Sequence, residues 1–229
     1  MHRFSFQLLI LFLFTTSTLF AEPLRLGLSA PLSGGGAAWG NDAKNVLEFA
    51  NEKLANNTYK LIFEDDRCDP KTALTVARKL SSVDKVDVAF LVCGQATMAA
   101  TKAYRQSEVS VVATLATPSS ISGSGAWRTS LNDARASQKL SQVIANKTDA
   151  ISVLTEENDY SVSFFKDFAE AAKKDELRVE NEYYLSSQTD FRAQLLKLKN
   201  KGAKAVFLNT QTEEALANIL KQMKLLNFS

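Results

Sequence analysis

The stretch EDDRCDPKTA, residues 64 to 73, decides the fold. It ends an apolar run, YKLIFED at 59 to 65, that is typical of a buried strand, and it leads into a run with helical spacing. Asp69 followed by Pro70 is a preferred N-cap and first helical position. The stretch therefore predicts a strand, a turn that holds Cys68, and a helix.

The same alternation of short apolar runs and longer amphipathic runs continues along the chain. Strands are predicted at 24–30, 59–65, 86–92, 109–114, 150–156, 179–185 and 205–210. Helices are predicted at 43–54, from 70, from about 132, and at 159–174, 190–200 and 212–226. Alternation of this kind is typical of βαβ units in a parallel sheet and predicts the α/β class.

A break in the pattern divides the chain into two lobes. Small residues cluster in SGSGAWRTSLNDARAS, at 122–137, between the fourth and fifth predicted strands. We expect a first lobe over 22–131 and a second lobe over 132–229. The local pattern leaves a single barrel of βα units open as the alternative.

The N-terminus has the pattern of a secretory signal peptide. A basic start, MHRF, precedes the apolar run LLILFLF at 8–14 and a polar exit that ends at Ala21. A membrane anchor would need about 20 continuous apolar residues, and the run stops at Thr15. We therefore expect residues 1–21 to be removed by cleavage after Ala21 and the mature protein to be soluble and periplasmic. Because the residue directly after the cleavage site is Glu22 and not cysteine, a lipid anchor is not expected.

Export and composition exclude several classes of function. The single histidine is His2, so the mature chain has no imidazole for a nucleophilic triad or for a metal. The net charge is +2 without a basic cluster, which argues against a nucleic-acid partner. No cofactor, metal or catalytic residue is predicted. In an oxidising compartment Cys68 and Cys93 favour a disulfide, with two buried free thiols as the alternative.

The segments that follow predicted strands are candidates for a ligand site, because strand carboxyl ends share one edge of a parallel sheet. These segments are 31–40, 65–70, 93–97, 114–120 and 157–161. The glycine-rich segment 31–40 does not fit a nucleotide: a dinucleotide loop from Gly34 needs glycine at 39, which is Trp39. Flexible glycines beside an aromatic residue suit a loop that covers a small organic molecule.

Polar residues at these positions also have simple structural interpretations. Taken singly, Thr97 and Ser119 are interpreted as helix caps, and together with free N–H groups they could cradle a carboxylate. The acids at 64–66 are interpreted as a solvated strand end. The pairs 156–157 and 213–214 are interpreted as charged helix starts.

Longer segments resemble a known family. FEDDRCDPKTALTVARKL with VAFLVCGQAT, together with LRLGLSAPLSGGGAAWGNDAKN, ENDYSVSFFKDFAEAAK and TDFRAQLLKLKNKGAKAVFLNT, is similar to the leucine/isoleucine/valine-binding proteins. These are type I periplasmic binding proteins that supply ATP-driven transporters. The resemblance implies two doubly wound parallel-sheet lobes that close on a ligand. It covers the chain from about Leu24 onward.

The resemblance also implies a set of site residues. It pairs Cys68 with Cys93 and places the ligand carboxylate at Gly94 and Gln95 and at Thr117. The other implied ligand contacts are backbone groups of Leu115 and Ala116 and the aromatic rings of Trp39 and Tyr160.

Two departures from the family pattern stand out. Gly94 occupies a position that is usually serine, which removes one charge-assisted hydrogen bond worth roughly 1.5–3 kcal/mol. Family members continue well beyond the position of Ser229, so the fold is expected to be incomplete at the C-terminus. The part beyond supplies the acid that holds the ligand ammonium in the family.

The leading hypothesis is an exported, monomeric solute-binding protein. It would capture an amino acid or similar small polar solute and deliver it to the membrane permease of an ATP-driven transporter. The alternatives are an exported α/β hydrolase, against which the missing Gly-x-Ser-x-Gly motif argues, a truncated non-functional relative, or a periplasmic sensor subunit.

Overall fold

Strands and helices alternate along the chain in a computed structural model that describes residues 22–202 and 205–228. The strands are β1 (Arg25–Ala30), β2 (Lys60–Asp65), β3 (Val88–Leu91), β4 (Ser110–Ala113), β5 (Trp127–Arg128), β6 (Ala150–Glu156), β7 (Arg178–Tyr184) and β8 (Val206–Asn209). The helices are α1 (Ala37–Ala55), α2 (Pro70–Arg78), α3 (Gly94–Gln106), α4 (Asp133–Ala145), α5 (Asp159–Lys174), α6 (Arg192–Asn200) and α7 (Glu213–Leu225). The predicted signal peptide, residues 1–21, lies outside the described residues.

The strands form two parallel sheets. The first sheet has the order β2-β1-β3-β4-β5, and the second has the order β7-β6-β8. We call the first sheet with its helices the first lobe and the second sheet with its helices the second lobe. Two open sheets confirm the α/β class and show that the single-barrel alternative is wrong. The exact boundary between residues 131 and 132 stays a prediction.

Most predicted elements agree with the observed ones, but α1 begins six residues earlier than predicted, and the predicted helices do not include α3. Asp69 accepts a hydrogen bond from the Thr72 N–H at 2.7 Å, and Pro70 is the first residue of α2, as its sequence predicts. Strand β5, only two residues long, was not predicted, because it lies in the stretch of small residues interpreted as a linker.

The two faces of the first sheet are covered unequally. Helices α2 and α3 bury one face, where Leu80, Tyr104 and Val111 are almost inaccessible to solvent. Helix α1 lies on the other face and leaves Val46 and Phe49 67% and 60% exposed. Helices therefore lie on both faces of the first sheet, as in a doubly wound lobe, but in the described part of the chain they bury only one face fully.

The second sheet has a core on each face. Leu154, Leu195 and Ile219 belong to one cluster, which joins the sheet to α6 and α7. Val153 and Phe168 belong to the other, which joins it to α5. Among residues 22–202 and 205–228, no helix is both long and apolar enough to cross a bilayer.

A disulfide joins Cys68, in the turn after β2, to Cys93, at the end of β3. This confirms the expected pairing and excludes the alternative of two free thiols. The cross-link closes a loop with a sequence separation of 25, for which the chain-entropy model gives about 3.5 kcal/mol of stabilisation.

Glycine is required at position 40. A Cβ atom there would lie 2.0 Å from the carbonyl oxygen of Pro31, so α1 would have to move away from the end of β1. We expect Gly40→Ala to lower the free energy of unfolding by about 3 kcal/mol, the upper end for overpacking. Urea denaturation would measure it.

Gly35→Ala is the matched control, because a Cβ atom at Gly35 meets no atom of the described residues within 4 Å. The two variants should differ clearly in their denaturation midpoints. Equal midpoints would contradict the close approach of α1 to Pro31.

Candidate ligand-binding cleft

A cleft of about 830 Å3 lies where the carboxyl ends of strands from both lobes meet. Its size is within the range of small-molecule sites. Every lining residue follows β1, β2, β3, β4, β6 or β8. The lining residues are Gly35, Gly36, Trp39, Cys68, Val92, Cys93, Gly94, Gln95, Leu115, Thr117, Tyr160, Gln211, Thr212, Glu213 and Glu214.

The structure brings most of the predicted site residues together here. Trp39, Gly94, Gln95, Leu115, Thr117 and Tyr160 all line the cleft. Ala116 does not: it is fully buried, and its carbonyl oxygen accepts a hydrogen bond from the Ser130 hydroxyl at 2.7 Å. That carbonyl is thus already engaged within the protein.

The lining residues from Gly35 to Thr117 form the first-lobe wall of the cleft. The N-terminus of α3 forms the base of this wall. The N-cap is Cys93, whose sulfur is in the disulfide, and among the described residues it gives the helix no side-chain cap. Gly94 and Gln95 open the helix, and the Gln95 side chain donates to the carbonyl oxygen of Cys68 at 2.6 Å. Uncapped N–H groups and the helix dipole favour an anion at this point.

Asp65 holds the glycine-rich loop that leads into α1, the helix on which Trp39 lies. Its carboxylate accepts hydrogen bonds from the Leu32 N–H at 2.9 Å, the Ser33 hydroxyl at 2.5 Å and the Arg67 N–H at 3.0 Å. Burial works to raise the pKa of Asp65, but these hydrogen bonds outweigh it and the pKa is lowered. The loop is therefore fastened to a charged carboxylate at neutral pH.

The interpretation of the acids at 64–66 as a solvated strand end is wrong for Asp66. Its side chain is fully buried and accepts hydrogen bonds from the Ser29 hydroxyl at 2.7 Å and the Cys68 N–H at 2.8 Å. Burial raises the pKa of Asp66. Asp66 lies within 4.8 Å of both sulfur atoms, but the disulfide leaves no thiolate for a metal.

Thr117 lies on the cleft with its hydroxyl already in use. The hydroxyl donates to the Asp133 carboxylate at 3.0 Å, and Asp133 is 4% exposed. Burial raises the pKa of Asp133, although the Thr117 hydrogen bond works in the opposite direction. To donate to a ligand carboxylate, the hydroxyl must rotate away from Asp133.

The capping interpretations of Thr97 and Ser119 are wrong. Thr97 lies inside α3 and is fully buried, so it does not precede the helix. Ser119 donates its hydroxyl to the Asp167 carboxylate of α5 at 2.9 Å, which joins the two lobes. For Thr97 the helix begins three residues before it, at Gly94. For Ser119 the partner is 48 positions away in the sequence, so the local pattern does not reveal it.

The second-lobe wall consists of Tyr160 and the segment 211–214. Asn158 caps α5 by accepting from the Ser161 N–H at 2.8 Å, which places the half-buried Tyr160 ring in the cleft. Glu213 and Glu214 occupy the first turn of α7, as predicted, but they also line the cleft. Glu156 is not a helix start: it ends β6 and is 2% exposed.

The sequence does not lead to the prediction that residues 211–214 line the cleft. The signal available was their position directly after a predicted strand, the rule that found the other cleft segments. In the second lobe the predicted cleft segments include only 157–161, and the pair 213–214 is interpreted as a helix start alone.

Gly94 is fitted closely to Pro118. A Cβ atom at Gly94 would lie 2.8 Å from both Cγ and Cδ of the Pro118 ring. Pro118 is buried, and the Arg128 guanidinium donates to the carbonyl oxygens of Thr117 and Pro118. A serine at position 94 would therefore overlap the Pro118 ring in this chain.

Solved structures with the same fold include solute-binding proteins. A leucine-binding protein from Thermotoga maritima has a TM-score of 0.80 at 21% identity, over 90% of this chain and 61% of its own. A solute-binding protein of an ABC transporter from Rhodopseudomonas palustris, in complex with 3,4-dihydroxybenzoic acid, has a TM-score of 0.74 at 23% identity, over 90% of this chain and 59% of its own. These likenesses define the type I periplasmic binding protein fold.

The family follows from the sequence match. Residues 23–229 match the family described as periplasmic binding protein, and the chain belongs to that family. A leucine-, isoleucine-, valine-, threonine- and alanine-binding protein of Pseudomonas aeruginosa is 26% identical over 223 residues, which is 92% of this chain. The chain spans 60% of the length of that relative and 56% of a second one, an amino acid binding protein of the same organism.

The contact between Gly94 and Pro118 can be tested by a double-mutant cycle. We expect Gly94→Ala to destabilise the protein by about 1–3 kcal/mol through overpacking. In a Pro118→Ala background the ring is absent, so the same change should cost much less. The free energies of unfolding of the four proteins measure the coupling, and strictly additive costs would contradict the contact.

Proposed function

We propose that this protein captures an amino acid or a related small polar solute in the cleft between its lobes. The observation that carries the proposal is the charge arrangement of the two walls. The first-lobe wall presents the uncapped N-terminus of α3, and the second-lobe wall presents Glu213 and Glu214. An α-amino acid carries an anion and a cation, which suit these two walls.

In this proposal the ligand carboxylate lies at Gly94 and Gln95, with Thr117 as an additional donor. The ammonium group faces the second-lobe wall, and Trp39, Leu115 and Tyr160 contact the side chain. The amino-acid ligands that the names of the two Pseudomonas relatives give are consistent with this choice. No covalent step is involved, and no cofactor or metal is required.

Binding would favour the closed arrangement of the lobes, because only that arrangement makes both sets of contacts. The closed form would then be recognised by the permease of an ATP-driven transporter. Export to the periplasm with cleavage after Ala21, and a monomeric state, are part of the same proposal. Hydrolysis is disfavoured, because the only histidine of the sequence lies within the predicted signal peptide.

A thermal-shift panel tests this function. The mature protein is heated with each of the twenty amino acids, their amides and short-chain carboxylic acids. We expect one ligand class to raise Tm, and Thr117→Ala to weaken its binding about tenfold or more, because a hydrogen bond to a charged group is lost. Isothermal titration would give the affinities.

Thr75→Ala is the matched control, since the exposed Thr75 hydroxyl has one hydrogen bond within the described part of the chain, to the Lys71 carbonyl oxygen in α2. No shift with any solute would contradict the proposed function. Turnover of an ester or amide would favour the hydrolase instead.

The orientation of the ligand gives a separate prediction. Replacing both Glu213 and Glu214 by Gln should weaken binding of the amino acid, because its ammonium group loses two nearby carboxylates. Binding of the matching acid that lacks the amino group should stay within about twofold. Affinities from calorimetry for both ligands would measure the difference.

The control removes the same two charges elsewhere, by Glu48→Gln with Glu52→Gln on α1, where neither side chain lines the cleft. If both double variants weakened amino-acid binding equally, net charge and not position would be the cause.

A further inference from the structure

A buried carboxylate lies behind the second-lobe wall of the cleft. Glu156 is the last residue of β6, and only 2% of it is exposed. It is not among the residues that line the cleft. Burial of a charged carboxylate is costly unless its oxygens are fully hydrogen-bonded.

Both oxygens of Glu156 are hydrogen-bonded to the turn between β8 and α7. Oε2 accepts from the Gln211 N–H at 2.9 Å, the Thr210 hydroxyl at 3.0 Å and the Thr212 N–H at 3.3 Å. Oε1 accepts from the Thr212 hydroxyl at 2.9 Å. The Tyr184 hydroxyl, at the end of β7, also donates to Oε2 at 3.4 Å. One side chain thus joins the carboxyl ends of all three strands of the second sheet.

The charged form of this carboxylate is the one that the protein holds. Burial works to raise the pKa of Glu156, but the donors, led by the Gln211 N–H and the Thr212 hydroxyl, outweigh it and the pKa is lowered. At neutral pH the turn 210–212 therefore surrounds a carboxylate anion. Charge-assisted hydrogen bonds are about twice as strong as neutral ones.

We propose that Glu156 is a positioning residue of the cleft, which fixes the turn 210–212 and so places the second-lobe wall against the ligand. The inference rests on the proposed function for the nature of the ligand. Gln211 and Thr212 line the cleft, and Glu213 and Glu214 follow them directly. Without the carboxylate, two backbone N–H groups and two hydroxyls of the turn lose their common acceptor, and the turn loses its fixed position.

The test variant is Glu156→Gln, which keeps the size of the side chain but turns one oxygen into an amide donor facing other donors. The control is Glu180→Gln on the adjacent strand β7. The Glu180 carboxylate is 57% exposed, pairs with Lys201 at 2.5 Å and does not line the cleft.

Two measurements are made on each protein. The first is hydrogen exchange of the Gln211 and Thr212 amides without ligand, with amides of α5 as the internal reference. The second is the affinity for the amino acid that gives the largest thermal shift in the panel. In Glu156→Gln we expect both amides to exchange at least tenfold faster and the affinity to fall at least tenfold, while Glu180→Gln changes neither.

Wild-type exchange rates at 211 and 212 in Glu156→Gln would overturn the inference, and so would unchanged affinity. If no amino acid binds the wild-type protein, the proposed function fails, whereas hydrogen exchange still decides whether Glu156 fixes the turn. Should Glu156→Gln not fold, Thr210→Val takes its place, because it removes one donor to Glu156 at a residue that does not line the cleft. It should accelerate exchange at Gln211 in the same direction, and an unchanged rate there would overturn the inference.

Discussion

The disulfide between Cys68 and Cys93 is the constraint on which the first-lobe wall depends. In the sheet order β2-β1-β3, strand β1 lies between the two strands that lead to the cysteines. The cross-link therefore spans the end of β1, from which the glycine-rich loop departs. It also occupies the N-cap of α3, so the helix start that faces the cleft is held covalently. Three strand ends are fixed relative to one another before any ligand arrives.

In both lobes, carboxylates at strand ends accept hydrogen bonds from loops and hold them in place. Asp65 and Asp66 hold the loops after β1 and β2, and Glu156 holds the turn after β8. Loops that carry binding residues expose backbone N–H groups, and a carboxylate with two acceptor oxygens can satisfy several of them at once. The acids nearest to the cleft are thus largely occupied by the protein itself. Glu213 and Glu214 differ, because they extend from the first turn of a helix into the cleft.

The sequence predicted the alternation of strands and helices and the edge on which the cleft lies. Both depend on local periodicity and on the geometry of parallel sheets, which short stretches of sequence encode. It did not predict the burial of Asp66 and Glu156. A carboxylate followed by turn residues has the same local sequence pattern whether water molecules or groups of the folded protein donate hydrogen bonds to it. Ser119 shows the same difficulty, since its partner Asp167 is 48 positions away. The second-lobe residues 211–214 could have been predicted, because they directly follow β8 at the same edge of the sheet as the other cleft segments.

The close fit between Gly94 and Pro118 constrains how this protein can change over evolutionary time. A hydroxyl-bearing residue at 94 adds a donor to the base of the cleft, yet its Cβ atom overlaps the proline ring. A chain that acquires serine first passes through a destabilised intermediate, whereas a chain that loses the ring first does not meet this clash. Sterics therefore favour one order of the two substitutions, with loss of the proline ring at 118 before serine is gained at 94.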